Sequence, residues 1–159
     1  MRVIDLGLLL ALAACASVPT GSVAQGVPVA SQPVHVERGW VHAAAAGQFE
    51  TWAFAVIVNP GGADSLIAVN SPDANSAVLR AATLTDAGRK MRSVAAIPVP
   101  AHGDLALTVD GYFIAFIEAR HAFVAGQSIA ATLRFASGAT VAASFKVSES
   151  EGDPGDRGN

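Results

Sequence analysis

Cysteine occurs once in 159 residues, at position 15. No intrachain disulfide can form, so the fold must rest on packing and hydrogen bonds alone. Methionine occurs twice, and one of the two is the initiator, which leaves Met91 as the only thioether inside the chain. Charged residues make up only 14%, and Lys plus Arg number 10 against 13 Asp plus Glu. A nucleic-acid binder needs a basic face, and this balance excludes one. The net charge of −3 is concentrated in residues 149–159, ESEGDPGDRGN, with four acids and one Arg. No apolar run reaches the roughly 20 residues that a membrane-spanning helix requires. A Gly-x-Ser-x-Gly elbow, a phosphate-binding glycine loop and a His-Glu-x-x-His helix are all missing. The acids are scattered through turns and the single thiol lies in the leader. These absences argue against an enzyme.

What is present is apolar and short-ranged. Hydrophobic residues are 52% of the chain, and 15 Gly and 8 Pro punctuate them. Runs at 34–41, 51–58, 65–69, 76–84, 90–97, 104–109, 112–118, 128–135 and 140–147 alternate or stay apolar. Dense turn signals such as NPGGAD, NSPDAN, TDAG and ASGA separate several of them. Period-2 patterning with such punctuation predicts about nine strands in an all-β, antiparallel Greek-key sandwich. No stretch has the pattern of a long amphipathic helix.

The first residues read as an export signal: Arg2, then the apolar LGLLLALAA, then Leu12-Ala13-Ala14-Cys15. That ending resembles the lipobox of bacterial lipoproteins, with 1–14 removed and Cys15 lipidated. Cleavage near SVAQG, discarding Cys15, is the competing reading. Residues 15–33, rich in small residues, Gly and Pro, form a flexible tether. The domain occupies 34–148, and 149–159 is an acidic, disordered tail. This organisation places the protein on the periplasmic side. Ala16 is not an inner-membrane retention signal of the aspartate kind, which points the anchor to the outer membrane.

The order of landmarks resembles the PCu(A)C family of periplasmic copper chaperones, which are small cupredoxin-like sandwiches. Trp40 matches a first-strand Trp. Asn59, Gly61, Asp64 and Leu66 match an Asn-x-Gly-x-x-Asp-x-Leu turn, and Ser71, Pro72 and Ala74 a Ser-Pro-x-Ala turn. KMRSVAAIPVPA, from Lys90, and GYFIAFIEARHAFVAGQSIAATLRF, from Gly111, match the family's later segments in order. The resemblance implies a cupredoxin-like fold and a role in handing Cu(I) to a respiratory oxidase subunit or to another copper chaperone. Membrane association would come through the lipid anchor only.

The family binds Cu(I) through His, ten residues, Met, twenty-one residues, His, one residue, and Met. Soft thioethers with imidazoles suit Cu(I), and a site without thiolate releases it readily. Carried over by spacing, Met91 keeps its place, while Arg80, Phe113 and Ala115 stand at the other three positions. The ligand set is degenerate, so Cu(I) is implied by resemblance and not by the residues present. One reading is that the Arg80 guanidinium replaces the metal ion as a fixed cation stacked on Phe113, with Met91 at its edge. The other is that Arg80 extends outward and Phe113 is an ordinary apolar residue. His35 and His42, seven apart, fall on opposite strand faces. His102 and His121 are candidates for a relocated site with Met91. Two functions follow: a copper-chaperone relative with altered metal binding, or a metal-free interaction module that keeps the docking surface.

Overall fold

The strand ETWAFAVIVN explains the architecture best, because it is apolar on both faces and both faces are covered. In the computed structural model, which describes residues 33–149, it is the second of ten strands. They are β1 (His35–His42), β2 (Glu50–Asn59), β3 (Asp64–Asn70), β4 (Ala74–Thr85) and β5 (Gly88–Ser93), then β6 (Ile97–Val99), β7 (Gly103–Ala106), β8 (Tyr112–Ala119), β9 (Ser128–Phe135) and β10 (Thr140–Ser148). The expected signal, lipidation site, tether and nearly all of the acidic tail lie outside the described residues.

Hydrogen bonding runs in the order β5-β4-β8-β2-β1-β10-β9-β3-β6, with β7 also pairing β2. The ribbon folds on itself into the expected cupredoxin-like sandwich. Phe116 of β8 meets Phe145 of β10 edge-to-face, centroids 6.0 Å apart, although the two strands are not neighbours. One side of the main core holds Ala53, Ala55, Ile57, Leu79, Ile114 and Phe116. The other holds Ile129, Leu133, Phe135, Phe145 and Val147. Each large side chain buried this way contributes roughly 1.5–3 kcal/mol before entropy is counted. β9 shows the simpler half-exposed pattern, burying Ile129, Ala131, Leu133 and Phe135 in strict alternation.

Three details depart from the expectation. The run 90–97 is two elements: β5 pairs β4, whereas β6 crosses to pair β3. Pro98, which cannot donate to a ladder, sits on that terminal strand, the position in a sheet where proline is tolerated. Secondly, β1 and β10 run parallel in an otherwise antiparallel order. Thirdly, the β1–β2 register slips by one residue between Glu37 and Trp40, with Arg38 at φ 47°. His35 therefore pairs Val58 while Trp40 pairs Phe54, so His35 and His42 share a face instead of opposing each other.

The turn motifs turn out to be staples. Asn59, buried, donates from its amide to the carbonyls of Gly62 and Pro100 at 2.7 and 2.9 Å, and accepts from the Gly61 N–H at 3.0 Å. Ser71 Oγ donates to the Ala130 carbonyl at 2.6 Å, tying its turn to β9. Asp64 accepts from Ser65 N–H and from both the N–H and hydroxyl of Ser137. Burial alone would raise the Asp64 pKa, but these bonds, with the Ala136 N–H, together hold it below the ordinary 3.8.

Candidate functional site

The outer face of the β4–β8–β2 layer carries a second apolar cluster. β8 points Ile114 and Phe116 into the main core, so Phe113 and Ala115 must face the other way. There they pack with Phe54 and with the partly buried Trp40, Trp52, Ala82, Val109 and Ile117. Ring centroids lie 5.3 Å apart for Trp52–Phe113, 6.1 Å for Phe54–Phe113 and 4.7 Å for Trp40–Phe54. Trp40, Phe54, Leu107, Thr108 and Val109 line a shallow apolar groove of about 250 Å³ beside it.

All four positions carried over by spacing lie on this face. Residues directly opposite in a ladder project to the same side. Arg80 is opposite both Phe113 of β8 and Ser93 of β5, Met91 is opposite Ala82, and Ala115 is opposite Trp52 and Val78. Met91 is 38% exposed, while Phe113 and Ala115 are fully buried.

The guanidinium finds a carboxylate. Arg80 Nη2 donates to Glu50 Oε2 at 2.7 Å, and Nη1 donates to Ser93 Oγ at 3.0 Å. The second Glu50 oxygen accepts from Trp52 Nε1 at 2.8 Å. The two charged side chains are 24% and 19% exposed, which is enough desolvation to strengthen the pair and to penalise either charge left alone. Arg80 Nε is buried with no hydrogen-bond partner among the described residues. The cation lies on this face, with Glu50 and Ser93 taking its polar contacts.

Glu50 escaped the sequence reading because it is a lone acid at the start of an apolar run. A signal existed: Glu50, Trp52 and Phe54 alternate, so Glu50 shares the Trp52 face. His42 was also passed over. Its ring sits 4.9 Å from Trp40, 5.9 Å from Phe54 and 6.5 Å from Trp52.

The other histidines are occupied elsewhere. His102, at φ 49°, holds the Pro60 carbonyl through Nδ1 at 2.7 Å. It precedes β7, which pairs the Val56–Asn59 end of β2, and both β8 and β4 stand between β2 and β5 in the hydrogen-bonded order. His121 Nε2 contacts Asp73 Oδ1 at 2.9 Å, and that carboxylate, helped by the Ala122 carbonyl, raises its pKa above 6.5. It lies two residues past Ala119, which pairs Ala74, eight positions along β4 from the partner of Met91; that is roughly 26 Å. Neither histidine joins Met91. Among the described residues, no three of His, Cys, Asp and Glu converge as a metal site.

The chain matches the LpqE-like family, described as one of lipoproteins, over residues 34–147, and it belongs to that family. Its fold is that of the PCuAC domain. The apo PCuAC domain from PmoF1 superposes with a TM-score of 0.63 at 22% identity, covering 76% of this chain and 97% of that one. The copper-bound PCuAC domain from PmoF2 gives 0.59 at 20% identity over 76% and 97%. The solution structure of CuI-DR1885 from Deinococcus radiodurans gives 0.62 at 26% identity over 80% and 87%. No curated protein matches the chain. The shared fold is that of PCuAC domains, two of which are described as copper-bound or Cu(I) forms.

The donor set on this face does not fit Cu(I). One thioether alone binds weakly, and a metal ion there would meet the guanidinium of Arg80 instead of an imidazole.

Proposed function

We propose that this chain is an exported copper-chaperone-family protein that works beside copper proteins without carrying Cu(I) at the inherited position. The Arg80–Glu50 pair supports this reading: three of the four ligand positions are replaced, and one replacement is a cation with its own counter-ion. The guanidinium and its counter-ion fill this face permanently, so the position is occupied without cargo. Cys15 carries the lipid anchor, 15–33 the tether, and the anchor holds the domain at the outer membrane. A subunit of the respiratory oxidase or another copper chaperone is the partner class this reading implies.

A second reading, Cu(I) delivery by an altered site, draws on Met91, which keeps its place and stays accessible. Anaerobic Cu(I) titrations against a competing chelator separate the two. The full chain in detergent is compared with an Arg80→His, Phe113→His, Ala115→Met variant whose thermal unfolding confirms folding. The proposal expects binding in the variant only. Equal stoichiometric binding by both would reject it.

A further inference from the structure

Among the described residues, β5 ends the hydrogen-bonded order and pairs only β4, so one of its backbone edges faces no described strand. Residues 83–93, the end of β4, its turn and all of β5, are exposed without a break. The β4–β8 pairing stops at Ala81, so this hairpin projects past the sheet. Its chemistry alternates. Met91 lies on the outer face with Ala82 and with the 74% exposed Leu84. Lys90 and Arg92 pair Thr83 and Ala81 and point to the opposite face. Arg89 is neutralised by Asp110.

We infer that β5 is a docking edge for an extended partner segment carrying carboxylate, apolar residue, carboxylate at successive positions. Such a strand would complete the ladder through its backbone. Its acids would fall opposite Lys90 and Arg92 and its apolar side chain opposite Met91, the favourable cross-strand pairings. A second copy of this chain is the wrong occupant. Antiparallel self-pairing centred on Met91 would set Lys90 against Arg92 of the other copy, two like charges face to face. The acidic tail is wrong as well. It leaves β10 at Ser148, five strands from β5, and its alternating acids Glu149, Glu151 and Asp153 are separated by Ser150 and Gly152, which offer no apolar side chain to Met91.

The test uses the full chain in mild detergent and two fluorescein-labelled, capped peptides, Thr-Glu-Val-Glu-Thr and Thr-Lys-Val-Lys-Thr. Fluorescence anisotropy reads binding, and hydrogen exchange with mass spectrometry locates it. The expected result is binding of the acidic peptide at low salt, with slowed exchange confined to residues 83–93. Lys90→Glu with Arg92→Glu, at exposed positions, should weaken that binding at least tenfold and favour the basic peptide. Several results would overturn the proposal. They are no binding, equal binding of both peptides, protection elsewhere, self-association that protects β5, or faster exchange of β5 when residues 150–159 are removed.

Discussion

Arg80 and Glu50 stand 30 residues apart in the chain and 2.7 Å apart in space, on the face that gathers positions 80, 91, 113 and 115. The pair joins β4 to the first residue of β2, and Trp52 fixes the carboxylate from its other side. A partly desolvated pair of this kind behaves as a unit, since either charge alone would lose its partner but not its burial.

Removing both members should therefore cost less than the sum of removing each. Glu50→Gln or Arg80→Met alone should lower unfolding free energy by about 1–3 kcal/mol. The double variant should fall short of the sum by about 1 kcal/mol or more. Urea denaturation of the four proteins in the cycle measures the coupling; strict additivity would show the pair contributes nothing as a pair.

This pair also marks where sequence reasoning stopped. The strands were legible because β9 alternates and because β2 and β8 are apolar throughout, for the reason that both their faces are covered. The convergence of positions 80, 91, 113 and 115 was legible as spacing. Glu50 was not, since ion pairs between distant strands leave no local pattern. The bulge at Arg38 was equally silent, and it reversed the relation of His35 to His42. The separation of β6 from β5 depended on which strand Ile97–Val99 meets, which is a tertiary fact.

Gly39 follows that bulge, and a methyl group there would lie 2.6 Å from the Ser144 carbonyl oxygen, a backbone atom that cannot swing aside. Gly39→Ala should destabilise by about 1–3 kcal/mol, read from the denaturation midpoint. A neutral result would mean that β1 and β10 separate easily.

Phe113 is fully buried between Trp52 and Phe54. Phe113→Ala should cost about 3–5 kcal/mol. Thermal melts should show Ala115→Ser costing less, about 1–3 kcal/mol, because it leaves no cavity but buries a hydroxyl in the apolar cluster.

Two pH effects have opposite signs. The depressed Asp64 pKa means its stabilisation is complete above its ordinary 3.8 and is lost as pH falls through the lower folded value. Asp64→Asn should flatten the stability curve in that acid range. The raised His121 pKa means its stabilisation is complete below 6.5 and is lost as pH rises through the higher folded value. Asp73→Asn should bring the His121 titration, followed by NMR, back towards 6.5.

The most direct measurement is an anaerobic titration of the native full chain with Cu(I) against a competing chelator. The account predicts no stoichiometric complex, and no difference between the native chain and Met91→Leu. Tight one-to-one binding that disappears with Met91→Leu would contradict it, and would put a working copper site beside the Arg80–Glu50 pair.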